Sequence, residues 1–231
     1  MKLEYEISRL NKQIKVKYQD GRSIEFELQL LPKMFLEWQS EARMKMFEQI
    51  KVGGGKSVRS MPAHLPVLAT HKKDIPFINL ATKGLGLLPK ESKIQKFFNL
   101  FTETRNSCKS KPWEETIIKR IETVIEFYEN IDNFDPYFLG GLEIFEGTTF
   151  KNLTKNPLVS LLYTGSAPQF LSYQFNGIIE ILQADNPYYQ FLLAARELFA
   201  FDSFHIIQGK YPFGYLFYPV DIKEKTPVPR K

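Results

Sequence analysis

Residues 147–165, GTTFKNLTKNPLVSLLYTG, and residues 171–182, LSYQFNGIIEIL, decide the fold expected for this chain. Apolar runs bounded by turn residues predict strands at residues 158–163 and 171–182. A short helical turn precedes them and carries hydroxyl, amide and ammonium groups on Thr148, Thr149, Lys151 and Asn152. Such groups at the start of a helical turn suit a phosphate, because backbone N–H donors point outward there. An ordinary capped turn has the same composition, so both interpretations stay open.

Further strands and one helix flank this stretch. Residues 138–145 precede it as a predicted strand, and residues 204–208 and 213–222 follow as the last two strands. Before those two strands, Asp185 or Asn186 caps a helix that has Pro187 in its first turn and runs to about Ala200. The tail, residues 223–231, is rich in lysine and proline and is expected to be loose.

A hairpin and two helices are predicted on the N-terminal side. Residues 64–70 and 76–81 predict two strands joined by a polar turn. Two apolar stripes at helical spacing follow, formed by Ile94, Phe97, Phe98 and Phe101 and by Trp113, Ile117, Ile121, Val124 and Tyr128. Pro112 is expected in the first turn of the second helix. Together the two helices occupy residues 90–130, a large insertion between predicted strands.

The first 52 residues have a pattern of their own. Apolar and polar residues alternate in three runs up to Leu30, and Asp20-Gly21 supplies the positive backbone angles of a hairpin turn. This predicts a three-stranded antiparallel meander, followed after Pro32 by an amphipathic helix to about Ile50. Gly53-Gly54-Gly55 then acts as a flexible joint. Residues 1–52 are therefore interpreted as an extension, and residues 58–222 as the main domain.

Composition and charge favour a globular protein that binds anions. The 231 residues are 43% hydrophobic and include a single cysteine, Cys108, so no intrachain disulfide forms. The net charge of +5 favours phosphorylated cofactors, nucleic acids or acidic metabolites. Basic residues are mixed with acidic ones and form no arginine stripe, which argues against nucleic acid. The chain has neither an apolar signal core at its N-terminus nor an uninterrupted apolar span, so we expect a cytoplasmic protein without membrane contact.

Common catalytic and metal-binding motifs are missing or incomplete. The run Gly53-Gly54-Gly55-Lys56-Ser57 lacks the earlier glycine of a phosphate-binding loop, because position 50 is Ile50. His64, His71 and His205 show no metal-ligand spacing; His71, in a predicted hairpin turn, is the best functional candidate among them. No Gly-x-Ser-x-Gly elbow occurs. The sequence therefore predicts neither a metal site nor a hydrolase.

The runs KNLTKNPLVSLLY, residues 151–163, and LSYQFNGIIEIL, residues 171–182, resemble the pyridoxamine 5'-phosphate oxidase-like family of FMN-binding split β-barrels. The matches are to the family's Asn-Pro turn, the strand after it and a hairpin glycine: Asn156-Pro157, residues 159–162 and Gly177. The run HLPVLATHKKDIPFINLA, residues 64–81, resembles the family's opening hairpin. The resemblance covers about residues 63–82 and 137–222.

This resemblance implies an α+β fold: a six-stranded antiparallel split β-barrel with an inserted helical pair and an N-terminal sheet-plus-helix extension. It also implies a homodimer, because split barrels of this family build their flavin sites across a two-fold interface. The function implied is that of an FMN-dependent oxidoreductase acting on a small-molecule substrate, with the redox chemistry carried by the flavin. The cofactor-binding residues implied are Thr148, Thr149, Lys151 and Asn152 near the phosphate, and Asn79, Thr82 and Ser172 toward the ring.

The chain departs from the family pattern at the phosphate. Family members usually carry Arg or Lys at the positions of Thr148 and Thr149, and Lys151 is the nearest substitute. A non-catalytic flavin- or haem-binding protein of the same fold therefore stays open, as does an enzyme that uses a deazaflavin or haem. The sequence names no proton donor, and it does not determine the physiological substrate.

Overall fold

The structure, a computed structural model of the chain, describes residues 1–53, 62–72, 75–165, 170–200 and 210–227. These residues form an α+β fold. The strands are β1 (Tyr5–Leu10), β2 (Gln13–Tyr18), β3 (Ser23–Glu27), β4 (Val67–Thr70), β5 (Asn79–Thr82), β6 (Gly86–Pro89), β7 (Phe134–Leu142), β8 (Leu158–Thr164), β9 (Ser172–Leu182) and β10 (Gly214–Glu224). The helices are α1 (Lys33–Gly53), α2 (Glu91–Cys108), α3 (Trp113–Tyr128), α4 (Thr148–Leu153) and α5 (Pro187–Leu198), with a 3-10 turn at Ile131–Asn133.

The N-terminal meander is confirmed. Strands β1, β2 and β3 pair antiparallel in that order, with Ile7 opposite Val16 and Ile14 opposite Phe26. Gly21 has a φ of +88° in the turn between β2 and β3. That left-handed conformation favours glycine and explains why Asp20-Gly21 marks the turn in the sequence.

The larger sheet contains seven antiparallel strands in the order β5-β4-β8-β9-β10-β7-β6. Its two edge strands are consecutive in the chain and are joined by residues 83–85, which we call the barrel junction. In a flat sheet of seven strands the two edges would lie about 29 Å apart. The four Cα–Cα steps from Thr82 to Gly86 span at most about 14 Å. The sheet must therefore curl into a barrel, and the Tyr163 hydroxyl of β8 donates to the Leu85 carbonyl of the junction at 2.8 Å.

The strand count differs from the six predicted from the sequence. Strand β6 was not predicted, because Gly86–Pro89 is short and holds both a glycine and a proline without any alternation. Strand β7 begins at Phe134, four residues before the predicted start. The predicted strand at residues 204–208 lies outside the described residues, as do Gly54 and Gly55 of the proposed joint.

Helix α1 joins the N-terminal sheet to the barrel. The Phe35 ring lies edge-on to the rings of Tyr163, Tyr173 and Phe175, with centroid distances of 5.0, 5.5 and 4.8 Å. These four aromatic residues are fully or almost fully buried. Such edge-to-face pairs add about 0.5–1.5 kcal/mol each beyond the burial of apolar area. Helix α1 therefore shares a core with the barrel, although a division of the chain at residue 52 stays a prediction.

The inserted helical pair is where the sequence predicted it. Helices α2 and α3 follow β6 and precede β7, and they pack with α5 through the buried rings of Phe97, Phe101, Phe127 and Phe191. Pro112 directly precedes α3 as its cap, one residue before the predicted position in the first turn. Asn186 caps α5 as expected, because its side chain accepts from the Tyr188 N–H at 2.9 Å. In the part of the chain described, none of the helices combines the length and the apolar character needed to span a bilayer.

Candidate functional site

A cleft of about 560 Å³ lies between the β4–β5 hairpin and helix α4. Clefts of this size are typical of cofactor and ligand sites. The described residues that line it come from three places, namely the hairpin, α4 and the turn after α4: Lys72, Ile75, Phe77, Ile78, Asn79, Thr148, Lys151, Asn152, Thr154 and Lys155. The hairpin and α4 belong to segments that are far apart in the sequence, so the cleft exists only in the folded barrel.

A buried polar network fixes α4 against the hairpin. The Thr70 hydroxyl accepts from the side-chain amides of Asn79, at 3.1 Å, and Asn152, at 3.0 Å. The Asn79 amide also donates to the Thr149 hydroxyl at 3.0 Å. Thr70, Thr149 and Asn152 are all buried. Thr70 was missed by the sequence analysis; its only signal there is its place as the last residue of a predicted strand beside a hairpin turn.

The cleft carries positive charge. Lys72, Lys151 and Lys155 line it, and no Asp or Glu is among its described lining residues. Lys155 has an exposed carboxylate partner, Glu4, at 3.8 Å, a contact worth little in water. One wall is apolar, since Ile75, Phe77 and Ile78 are all exposed, Phe77 to 81%. The arrangement suits an anion with an apolar or planar body.

The predicted cofactor-binding residues fall into two groups. Five of them meet at the cleft: Thr148, Lys151, Asn152 and Asn79 line it, and Thr149 lies buried next to it. Thr82 is exposed at the end of β5. Ser172 of β9 pairs with Thr164 at one end of β8, and Thr70 of β4 pairs with Val159 near the other end. Thr164 and Val159 are about 17 Å apart along β8. Within a single chain, Ser172 is therefore remote from the cleft, and its backbone N–H donates to the Thr226 hydroxyl at 3.2 Å.

A buried charge cluster precedes α4. The fully buried carboxylate of Glu143 accepts from the Lys83 ammonium at 2.7 Å on each oxygen, and from the Tyr215 hydroxyl. It also accepts backbone N–H bonds of 2.8–3.1 Å from three consecutive residues of the loop, Ile144, Phe145 and Glu146. Burial by itself raises the pKa of Glu143, but the hydrogen bonds from Lys83, Tyr215 and the Phe145 N–H hold that pKa below its usual value. Glu143 is therefore an anion that shapes the loop leading into α4.

The histidines and the cysteine lie elsewhere. His64 lines a cavity between the barrel and the helices, and His71 lines a groove on the outer face of β4 and β8. His205 is outside the described residues. Cys108 is buried at the end of α2. The described residues contain no group of three His, Cys, Asp or Glu side chains placed to hold a metal ion.

No protein-family model and no curated protein matches the chain. Solved structures similar to it include HupZ from Group A Streptococcus, with 14% identity, a TM-score of 0.42 and coverage of 79% of this chain and 92% of that one. A protein from Listeria innocua described as a candidate pyridoxamine 5'-phosphate oxidase has 11% identity, a TM-score of 0.39 and coverage of 80% and 97%. An FMN-binding protein from Syntrophomonas wolfei has 9% identity, a TM-score of 0.39 and coverage of 85% and 95%.

The family that the sequence segments resemble is represented among these structural neighbours. The α+β barrel of this chain is defined by its own strand order and registers.

Proposed function

We propose that the protein binds FMN in the cleft between the β4–β5 hairpin and α4. The proposal rests on the combination of positive charge and apolar surface in this cleft. Lys72, Lys151 and Lys155 line it together with an exposed apolar wall that includes Phe77. A phosphate and a flat apolar ring require these two features. The resemblance of residues 64–81 and 151–182 to FMN-binding split barrels supports the same ligand.

The cleft residues fit the cofactor without the basic pair that is usual in the family. Lys151 on α4 and Lys155 after it supply positive charge for the phosphate, and Lys72 adds a third ammonium from the hairpin. The hydroxyl of Thr148 and the amide of Asn152 lie beside them as uncharged hydrogen-bonding groups. Bound flavin would supply two-electron redox chemistry. The residues of the chain would bind the phosphate, orient the ring and exclude water from one of its faces.

A homodimer would complete this site. The outward side of β5, β4 and β8 carries exposed apolar residues in register, with Val67 opposite Leu162 and Leu80 opposite Ala69. Leu80 is 65% exposed, and Phe77 and Ile78 extend the same surface to the cleft. Exposed apolar patches of this kind mark interfaces, and one self-complementary patch is enough for a two-fold dimer. In such a dimer a partner subunit could supply the ring contacts that Ser172 and Thr82 do not make within one chain.

We infer that the FMN-bound protein is an oxidoreductase of a small molecule. A second candidate is a non-catalytic flavin or haem carrier of the same fold. His71 favours the haem variant, because it is exposed and lines the groove of about 330 Å³ that borders the cleft at Ile78. A deazaflavin would use the same lysines for its phosphate and the same apolar wall for its ring.

Titration of the purified protein with FMN, followed by flavin fluorescence, tests the proposal. We expect saturable binding in the micromolar range or tighter, about −8 kcal/mol or stronger. A haem titration followed by the Soret band runs in parallel. If the protein binds haem but not FMN, the carrier function replaces the FMN proposal. If it binds neither ligand up to hundreds of micromolar, both proposed functions are wrong.

A further inference from the structure

A second cavity lies between the barrel and the helices packed on it and is partly open to solvent. Its volume is about 200 Å³, and it is bounded by α1, α2, α3 and α5 on one side and by β6 and β7 on the other. Most of its wall is apolar and buried, including Phe47, Phe101, Phe127, Phe191 and Phe199. Its described lining residues include none from the cleft at α4.

The backbone of β6 and β7 forms the opposite wall. Gly140 and Gly141 of β7 and Gly86 of β6 line the cavity there. A Cβ atom on Gly141 would lie 1.7 Å from the Gly84 carbonyl oxygen, and one on Gly140 would lie 2.6 Å from a Leu88 methyl. Position 141 therefore requires glycine, because the close atom is backbone, whereas a Cβ at Gly140 would require the Leu88 side chain to shift. The glycines leave part of this wall without side chains, beside the side chains of Leu87 and Leu142.

The charged side chains at the cavity are cationic. Arg43 and Arg196 line it, and none of its described lining residues is an Asp or Glu. The Arg43 guanidinium lies over the rings of Phe47 and Tyr128, at 5.8 and 5.5 Å from their centroids, and its Nε donates to the Tyr128 hydroxyl at 3.4 Å. Within the described residues, no carboxylate lies within ion-pair distance of Arg43.

The side chains of Arg43 and Tyr128 have hydrogen-bond donors that no acceptor among the described residues uses. A guanidinium has five N–H groups, and Arg43 uses one on Tyr128 and directs a second at the Met46 sulfur at 3.9 Å. The Tyr128 hydroxyl accepts from Arg43 and therefore keeps its own hydrogen for another acceptor. Arg43 is partly exposed, whereas the aromatic wall behind it is buried. The cavity thus has a cationic, donor-rich mouth and an apolar interior.

We propose that this cavity is a binding site for a small carboxylate with an apolar body, such as a medium-chain fatty acid or an aryl-alkanoic acid. The carboxylate accepts from Arg43 and Tyr128 at the mouth, and the apolar body fills the space between the phenylalanines. An apolar cavity of about 150 Å³ accepts benzene, so one slightly larger accommodates a molecule of roughly ten non-hydrogen atoms. Charge-assisted hydrogen bonds to a carboxylate are among the strong ones in proteins, particularly where water is excluded.

Octanoate and 1-octanol, used as probes of equal length, test both halves of the site. Binding is measured by isothermal titration on the full chain. We expect octanoate to bind about ten- to hundredfold more tightly than 1-octanol, because only the carboxylate forms charged hydrogen bonds. Arg43→Met should abolish this preference while 1-octanol binding persists. Lys45→Met is the matched control, since Lys45 is an exposed lysine of the same helix, and it should leave both affinities unchanged.

A second experiment fills the cavity with a larger side chain. Ala195 of α5 lines the cavity, and Ala195→Leu should reduce the binding of both probes at least tenfold. Ala195→Val is the milder variant if the leucine variant fails to fold, and circular dichroism checks both. Three outcomes would each overturn the proposal. The first two are that the wild-type chain binds the two probes with equal affinity, or shows no saturable binding of octanoate at millimolar concentration. The third outcome is that Arg43→Met leaves the affinity for octanoate unchanged. FMN affinity is measured alongside and should not change in these variants, so a failure of this site is distinguishable from a failure of the FMN proposal.

Discussion

The ammonium of Lys83 lies 2.7 Å from both carboxylate oxygens of Glu143, and the Glu143 side chain is completely buried. Lys83 is the first residue of the barrel junction, and Glu143 begins the loop that leads into α4. One ion pair therefore connects the closure of the barrel to the helix that lines the candidate cofactor cleft. The three loop N–H groups that also bond Glu143 make the loop conformation depend on this carboxylate.

Removing the positive partner should destabilise the fold strongly. Lys83→Met leaves the Glu143 carboxylate buried without its cation, and we expect a loss of about 3–5 kcal/mol in the free energy of unfolding. The double variant Lys83→Met/Glu143→Gln should regain part of this loss, because it removes the charge and keeps an oxygen acceptor for the loop. Urea denaturation of the three proteins measures both effects.

An exposed ion pair of the same type is the control. Lys15 and Glu25 lie 2.5 Å apart on β2 and β3, and both side chains are about half exposed. Lys15→Met should cost no more than about 1 kcal/mol. If Lys83→Met costs as little as Lys15→Met, the buried pair does not hold the loop.

Glu143 should also make stability depend on acidity. Its pKa in the folded chain lies below the ordinary value of 4.5, so its contribution is fully present above that pH and is lost as the pH falls through the folded pKa. The difference in unfolding free energy between the wild-type chain and Glu143→Gln should therefore be largest near pH 7 and shrink below about pH 4.5. Taking this difference removes other titrations, such as that of Asp135, whose pKa burial raises. A difference that stays constant from pH 7 to pH 3 would contradict this assignment.

Local sequence patterns predicted the elements but not the contacts among them. The alternation at Ile14 and Val16 and the glycine turn at Gly21 were sufficient for the meander, because both signals are local. Strand β6 carries no such signal, as it is four residues long. The Lys83–Glu143 pair joins residues separated by 60 positions, and no pattern within either segment indicates its partner.

Only part of the candidate site could be proposed from local sequence. Thr148 and Lys151 were proposed as phosphate contacts from the turn that contains them; both line the cleft, and their role there stays a prediction. Thr70 is 82 residues from Asn152, with which it forms a buried hydrogen bond, so its role emerges only when the barrel brings β4 to α4. The Arg43–Tyr128 pair at the second cavity, 85 residues apart, was equally hidden.

Lys151→Ala should weaken FMN binding about ten- to hundredfold, because a charged hydrogen bond to phosphate is worth about 1.5–3 kcal/mol. Riboflavin, which lacks the phosphate, should bind both proteins alike. Fluorescence titration of each ligand into each protein makes the comparison, and Lys45→Ala on α1 is a control for the loss of a surface lysine. Equal losses for FMN and riboflavin would mean that Lys151 acts on the fold, and no loss for either would place the phosphate contacts on other cations.

Leu80→Glu should dissociate the proposed homodimer. Leu80 lies in the exposed apolar surface of β5, β4 and β8, and a carboxylate there would be buried without a partner in a two-fold contact. Light scattering should give about twice 27.0 kDa for the wild-type chain and 27.0 kDa for the variant. Leu10→Glu, on the N-terminal sheet, is the matched control, because Leu10 is 75% exposed and outside that surface. A wild-type monomer, or a Leu80→Glu variant that remains dimeric, would rule out this interface.

The barrel junction has a consequence for aggregation and for proteolysis. The two edge strands of the barrel sheet are four residues long each, and the five strands between them are paired on both sides. Short edges give an incoming strand from another molecule little backbone to pair with, which protects the sheet against edge-to-edge association. The junction itself is held by backbone hydrogen bonds, from the Lys83 N–H to the Pro66 carbonyl at 3.2 Å and from the Leu85 N–H to the His64 carbonyl at 2.9 Å. A protease cut at residues 83–85 would remove the covalent link between the two edge strands and leave these hydrogen bonds to keep the barrel closed.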